Sequence, residues 1–334
     1  MWFSVQIHYA TSMTVACPLC RSGATFVLQT TEPLSESDPL VKTTFIAAGD
    51  VLKFVACQAC GLIFRSPRPT REQIGNFYEH ILPPLEAPLM QGAGVTEQLA
   101  DQRNDLRYAL LFDDLSRLVN GAPGHIIDIG GWDGRSLVPF QAAGWSTTLI
   151  DPGAAKRTLA SRDIRVLGSV EEATRGQLQP AKLITSYHCV EHILDLDAWV
   201  TESKALSDAD TIWIIEVPFE VIYIDHLLRR RPLRRTNIHD QHLNFFTPRS
   251  LTALARRMDL EPMSVKVVVT PYWFGPTVSL RLIARASSRA RQSVPPKLRS
   301  PRRVRAGLAL WLPAWRRVAG LMFRYTRIRH PEWG

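Results

Sequence analysis

The chain of 334 residues has no run of eighteen uninterrupted apolar residues, so no segment of it reads as a membrane-spanning helix. Its first ten residues are apolar but lack a basic stretch and a small-residue cleavage site, so a secretory leader is not expected. Cysteine is scarce: Cys17, Cys20, Cys57, Cys60 and Cys189 are too few for a disulfide framework. Two close pairs with one left over fit a metal site in a reducing, cytoplasmic setting better. Acidic residues nearly vanish at one end. From Arg285 to Gly334, thirteen Lys/Arg face a single Glu332, a net of +12, so residues 1–284 carry −3 of the total of +9. The overall positive charge therefore says nothing about the chemistry of the body. Nor is the chain poor in core-forming residues. At 46% apolar and 21% charged it is neither mainly disordered nor collagen-like, and its length suits about two domains.

Cys17-Pro-Leu-Cys20 and Cys57-Gln-Ala-Cys60 each bend the chain so that two thiolates point at one ion. Two such knuckles complete a tetrahedral shell of four sulfurs, which suits Zn²⁺. Gly23 and Gly61 follow the pairs, and strand-like runs at Thr25–Gln29 and Val51–Ala56 lie between them, as a zinc ribbon requires. Four protein ligands leave no open position, so the ion is expected to be structural. The alternatives are four unrelated buried cysteines or a redox pair.

Polar, helical stretches at Arg71–Tyr78 and Thr96–Asn120 flank a Pro/Gly-rich linker, Leu82–Gly94. Beyond them strands alternate with helices: strands at His125–Ile129, Ser146–Ile150, Ile164–Leu167, Lys182–Ser186 and Thr211–Val217, then two more at Ser264–Thr270 and Thr277–Ala284. This rhythm predicts an α/β fold with a mostly parallel sheet and ligand at the carboxyl ends of the strands. Asp128-Ile-Gly130-Gly131-Trp132-Asp133-Gly134 follows the first of these strands. Glycines there let backbone approach a ligand at a helix N-terminus. Asp151 ends the second strand, where a carboxylate can accept both hydroxyls of a ribose. Two glycines alone also suit a purely structural turn.

These residues resemble the motifs of class I S-adenosylmethionine (SAM) dependent methyltransferases. With the ribbon, with Tyr187-His-Cys-Val-Glu-His192 and with His242-Leu-Asn-Phe-Phe-Thr-Pro248, the chain is similar to zinc-ribbon methyltransferases of bacterial sugar and glycan pathways, deoxysugar C-methyltransferases among them. The resemblance covers about residues 14–285. It implies a Rossmann-like, seven-stranded, mostly parallel sheet behind a small ribbon. The divisions are a ribbon at 14–68, a helical linker at 69–121, a methyltransferase domain at 122–285 and a basic tail at 286–334. It implies SAM and structural Zn²⁺ as cofactors, with Cys17, Cys20, Cys57 and Cys60 on the metal. Asp128, Gly130, Gly131 and Gly134 would line the methionine part of SAM, Asp151 the ribose, Ser169 and Val170 the adenine. His188, Glu191 and His192 would floor the reaction site. One departure stands out: Trp132 occupies the position of the wider family's middle glycine, although deoxysugar C-methyltransferase-like members often lack it too and keep an Asp-Gly, here Asp133-Gly134.

Methyl transfer from a sulfonium requires alignment and removal of a proton from the acceptor. His242 is the expected base, since a neutral imidazole is available near pH 7. In the resembling C-methyltransferases a histidine at this motif takes a proton beside a sugar ketone. Their preceding Glu is Gln241 here, and His239 stands where an aromatic residue would, so both C- and O-methylation stay open. His242 as a helix-capping structural residue, and Glu191 and His192 as the start of a helix, are the bland alternatives. Cys189 reads as a small buried hydrophobe.

Arg229, Arg230, Arg231, Arg234 and Arg235 fall within seven residues just before the histidines. They read either as a solvated loop or as a clamp for a phosphate-bearing sugar or glycan precursor. In the tail, Trp315, Val318, Leu321, Met322 and Tyr325 share one helical face opposite Arg316, Arg317, Arg324 and Arg327. That pattern suits peripheral contact with an inner membrane surface, a helix packed on its own core, or, less well, nucleic acid. The expected function is methyl transfer to a sugar or glycan precursor in the cytoplasm. An RNA base methyltransferase and a non-catalytic SAM-fold scaffold are the alternatives.

Overall fold

The computed structural model describes residues 15–31, 48–81, 96–119, 122–154, 159–220, 241–286 and 298–304, apart from isolated positions within these spans. The Leu82–Gly94 linker, the arginines from 229 to 235, His239 and the amphipathic tail beyond residue 306 lie outside the described residues.

The N-terminal strands β1 (Thr25–Thr30), β2 (Lys53–Cys57) and β3 (Ile63–Ser66) form an antiparallel meander. A fourth strand completes this sheet from far along the chain: β9 (Asn244–Phe245) pairs antiparallel with β3, Phe64 opposite Asn244 and Ile63 opposite Phe245. Strands β4 (His125–Ile129), β5 (Ser146–Ile150), β6 (Arg165–Leu167), β7 (Leu183–Tyr187), β8 (Ile212–Pro218), β10 (Leu260–Tyr272) and β11 (Gly275–Ala286) form the main sheet. Its order is β10-β11-β8-β7-β4-β5-β6. Strands β4 to β8 run parallel, and β11 joins antiparallel through a long hairpin with β10. The order reverses between β4 and β7, which creates a crevice at their carboxyl ends.

Among the described residues the helices include α1 (Arg71–Asn76), α2 (Glu97–Leu118), α3 (Val138–Ala142), α4 (Val170–Arg175), α5 (Leu196–Lys204) and α6 (Pro248–Arg257). Local chemistry sets their starts. Thr70 with Gln73, and Thr247 with Ser250, form capping boxes, and Pro248 preorganises the first turn of α6. The central strands read as nearly continuous apolar runs because both faces are covered. Ile126, Leu183 and Ile214 point into one core with Leu115, Phe140 and Trp145. Ile127, Ile184 and Ile215 point into the other, which also holds Cys17, Leu19, Phe54, Leu62 and Phe64. The ribbon and one face of the main sheet therefore share a single hydrophobic core.

One polar group crosses that interior. Glu216 on β8 is fully buried between Arg107 of α2, at 3.2 Å, and Arg281 of β11, at 2.9 Å. The Arg107 guanidinium also lies against the rings of Tyr108, Tyr187 and Tyr272, the last centroid 4.9 Å away. Burial alone would raise the Glu216 carboxyl, but the His188 ring and the two guanidinium charges overcome it and hold it at about 2. The folded protein thus keeps this group ionised where an unfolded chain, with an ordinary value of 4.5, takes up a proton. The stability so gained is complete above about pH 4.5 and is lost as pH falls toward 2. Arg107→Met removes one of the two guanidinium groups and leaves the carboxylate to Arg281, His188 and the Thr270 hydroxyl. It should cost about 3 kcal/mol in denaturant unfolding, with acid loss of stability setting in at higher pH than in the parent.

Candidate active site

The carboxyl ends of β4, β5 and β7 converge on the turn at 130–134. Asp128, on β4, is fully buried; its carboxylate accepts hydrogen bonds from Ser136 Oγ and, at 2.7 Å, from Thr185 Oγ1 on β7. Burial pushes this carboxyl up to about 6 despite those donors. Asp128 therefore ties the turn to the neighbouring strand from below. Gly130 and Gly134 both have φ of +76°, which glycine adopts without a Cβ penalty. A Cβ at Gly130 would collide with Cys189 Sγ, and one at Gly131 with the Asp128 carboxylate. The glycines let the turn pack directly against the segment following β7. Trp132 takes the same left-handed region, φ +58°, in a residue with a large side chain. Glycine takes this backbone without a Cβ penalty, and Trp132 adopts it at the expense of local strain.

Asp151, at the end of β5, faces the same turn. Its Oδ2 accepts the Trp132 backbone N–H at 3.1 Å, and its Oδ1 accepts that of Gly153 at 2.8 Å. Carboxylate and glycine turn thus form a continuous cradle of the kind that takes a ribose and an attached chain. Ser169 caps α4 by accepting the Glu172 N–H at 3.1 Å, and Val170 is buried beneath it, at the end of neighbouring β6. Cys189 packs on Gly130, and desolvation pushes its thiol up to about 12, in keeping with an inert space-filling role.

After β7 the chain makes a 3-10 turn, Val190–His192, before α5 begins at Leu196. Glu191 and His192 thus sit in a short turn outside any α-helix. His188 (φ +50°) stacks on Tyr272 at 5.2 Å, its Nε2 3.2 Å from Ser279 Oγ and its Nδ1 3.8 Å from Glu191 Oε1. His192 Nδ1–H donates to the carbonyl of Gln241 at 3.2 Å. The rings of His192 and His242 meet edge to face, 4.7 Å apart. His242 Nδ1 lies 2.8 Å from Glu220 Oε1. His188, Glu191, His192 and His242 are therefore brought together from two segments 50 residues apart.

Sequence reasoning missed Glu220. It follows β8 by two residues, and only the return of residues 241–244 to the 188–192 turn brings it to His242. Asn244 was also missed: its Nδ2 donates to the carbonyls of Val190, Glu191 and Ile193 at 3.3, 3.3 and 2.8 Å. Arg68, on the ribbon's exit, donates to the carbonyls of Ile193 and Leu194 at 3.0 and 2.6 Å and to Asn244 Oδ1 at 3.1 Å. Neither residue carries a motif or periodic signal, because both act by bonding to segments distant in the chain.

At the other end of the ribbon, Cys17, Cys20, Cys57 and Cys60 converge. Cys17 Sγ lies 3.6 Å from Cys60 Sγ, and Cys20 Sγ 3.5 Å from Cys57 Sγ. An ion held at about 2.3 Å by four thiolates spaces their sulfurs about 3.8 Å apart, so the cluster fits a tetrahedral metal with little adjustment. Hydrogen bonding from Cys17 draws the Cys20 thiol down to about 7, whereas Cys17 and Cys60 are pushed up by their sulfur neighbours. Backbone N–H of Cys60 points at Cys57 Sγ. Among the described residues no helix is long and apolar enough to cross a membrane.

The tightest constraint in the cradle is testable. A methyl at Gly131 would meet the Asp128 carboxylate and stand 2.8 Å from Leu149 Cδ1. Gly131→Ala should lower unfolding free energy by about 2 kcal/mol, as overpacking of a filled site does. Thermal denaturation against Gly144→Ala, which meets nothing within 4 Å though its φ is +83°, separates crowding from backbone strain.

Residues 102–265 match the family described as Methyltransferase domain. No curated protein matches the chain. Among solved structures it is similar to the 1,6-didemethyltoxoflavin N1-methyltransferase of Burkholderia thailandensis, solved with 1,6-didemethyltoxoflavin and S-adenosylhomocysteine. The identity is 17% and the TM-score 0.41, over 73% of this chain and 98% of that one. It is also similar to magnesium protoporphyrin IX methyltransferase of Synechocystis, solved with S-adenosylhomocysteine, at 13% identity and TM-score 0.40, over 57% and 86% of the two chains. Numbered by chain position within the main sheet, the strand order is 3-2-1-4-5-7-6, with a glycine turn after strand one and a carboxylate ending strand two. The main sheet thus has the Rossmann-like architecture of class I methyltransferases, and residues 102–265 within it carry the match to the Methyltransferase domain family.

Proposed function

We propose that the protein is a SAM-dependent methyltransferase acting on a sugar or glycan precursor, with His242 as the base that removes a proton from the acceptor. The observation that carries the reading is the His242–Glu220 pair, 2.8 Å from Nδ1 to Oε1, beside the 188–192 turn that packs on the glycine cradle. SAM, when bound, supplies a methyl group on a positively charged sulfur. Gly130, Gly131 and Gly134 make room for it, and the Asp151 carboxylate receives ribose hydroxyls. The Glu220 carboxylate fixes the proton of His242 on Nδ1 and leaves Nε2 as the acceptor. It also stabilises the imidazolium that forms when the acceptor is deprotonated. His192 and Glu191 wall the same space and orient the acceptor.

The preference for a sugar or glycan precursor rests on the resemblance of the histidine-bearing motifs. A phosphate on that precursor is supported by the arginines from Arg229 to Arg235, which lead into residue 242. In this reading the Cys17, Cys20, Cys57 and Cys60 cluster carries Zn²⁺ as a structural ion. Its role for the site follows from the shared sheet: β3 pairs with β9, two residues beyond His242.

SAM turnover against a panel of nucleotide-linked sugars is the direct test. His242→Ala should lower kcat by 10²–10⁴-fold with SAM affinity, measured by calorimetry, nearly unchanged. Glu220→Gln, a positioning change, should lower kcat about tenfold and shift the acidic limb of the pH–rate profile. Unaltered kcat in both variants would sink the assignment. Metal analysis gives a separate check: the parent should retain about one zinc per chain. Cys57→Ser should lose it, together with most of the turnover, because the ribbon edge that holds β9 is then unsupported.

A further inference from the structure

The site holds an arrangement that base catalysis does not require. The donor atoms of Glu191, His192 and His242 all lie within 4.8 Å of one another, and Glu191 Oε1 is 3.7 Å from His192 Nε2. Two imidazoles and one carboxylate are a donor set that suits divalent transition metals. Ligands on a tetrahedral ion at about 2.1 Å stand about 3.4 Å apart; Glu191 and His192 are already close to that, and separations of up to 4.8 Å to the rest of the set close by side-chain adjustment. Both histidines are also prepared in the way metal-binding histidines are. His192 Nδ1 gives its proton to the Gln241 carbonyl, and His242 Nδ1 gives its own to the Glu220 carboxylate. Each bond places the proton on Nδ1 and the lone pair on Nε2, with the ring orientation fixed. The backbone that carries the third donor is also fixed. The Glu191 carbonyl accepts from Leu243 N–H at 2.9 Å and from Asn244 Nδ2, so the turn carrying Glu191 is bound to the segment carrying His242. Glu191 is buried, and the partly exposed His192 ring provides the side of entry.

We propose that Glu191, His192 and His242 form a second metal site, separate from the four-cysteine cluster, that takes a divalent transition-metal ion such as Zn²⁺ or Co²⁺. An ion there occupies the Nε2 lone pair of His242. Occupancy therefore blocks proton removal from the acceptor, and the metal is an inhibitor of transfer. This consequence rests on the reading of His242 as base; the site itself rests on the donor geometry alone.

Cobalt chloride is the probe, added to the full chain with zinc already in the four-cysteine cluster. One further equivalent should bind with visible d–d bands of a nitrogen and oxygen site, without the near-ultraviolet thiolate charge transfer that marks cobalt bound to cysteine. His192→Gln and His242→Gln should each weaken this binding at least tenfold, and Glu220→Gln about tenfold through its effect on His242. Retained zinc and an unchanged melting temperature show that the variants are folded. Absence of the nitrogen and oxygen spectrum at millimolar cobalt, or equal binding by the parent and the folded histidine variants, overturns the site. Methyl transfer should fall at least tenfold at saturating cobalt and recover on dilution. Undiminished transfer in the cobalt-loaded protein overturns the inhibitory consequence. If no acceptor supports transfer, the reading of His242 fails, while the spectrum still decides the metal site.

Discussion

The pairing of β3 with β9 is the constraint on which the site depends. Two backbone positions, Phe64 with Asn244 and Ile63 with Phe245, bring the chain after residue 241 against the ribbon. Arg68 reinforces the junction from the ribbon side, donating to the carbonyls of Ile193 and Leu194 and to the amide of Asn244. Three formally distant pieces of chain are thereby fixed together: the ribbon exit, the turn after β7 and the histidine-bearing segment. A two-residue strand contributes little by itself. Its effect comes from closing a buried polar network, in which each removed partner leaves buried carbonyls unsatisfied.

This arrangement gives the four-cysteine cluster a role at a distance. The knuckles are remote from the glycine cradle in chain order, yet α6, which follows the histidine motif, is bound to both of them. Thr247 Oγ1 donates to the carbonyl of Gly61 at 3.2 Å, and the Arg249 and Arg257 side chains donate to the carbonyls of Ala59 and Leu19. A metal ion held by the four cysteines would therefore also fix the start of α6 and the strand before it. Ribbon and methyltransferase domain share one apolar core, so loss of the ribbon exposes a face of the larger domain as well.

The main sheet solves a different problem, that of keeping charge in its interior. Asp128 is satisfied by hydroxyls and its carboxyl is pushed up, whereas Glu216 is satisfied by guanidinium groups and is held low. The two carboxylates show how partner type, more than depth, sets the preferred protonation state. Asp128 serves the turn by being short and well bonded. Glu216 joins α2, β8 and β11 beneath the aromatic group that supports His188.

Much of this was legible in the residues alone. Cysteine spacing fixed the four-sulfur cluster, because two C-x2-C knuckles leave little choice of partner. Apolar runs bounded by Asp128 and Asp151 located the parallel strands, because strands buried on both faces carry that pattern. The glycines at 130 and 134 were legible as a βα turn, and their left-handed backbone, shared by Trp132, is the physical reason for them. Tertiary structure alone decided which residues meet. Glu220 has no periodic or motif signal and acquires its role only when residues 241–244 fold back beside it. Asn244, Arg68 and β9 were invisible for the same reason: a two-residue strand has no period, and a buried hydrogen bond between segments nearly 180 positions apart leaves no local trace. Local sequence determines elements and turn chemistry, while a site built from the ends of separate elements is specified only by their packing.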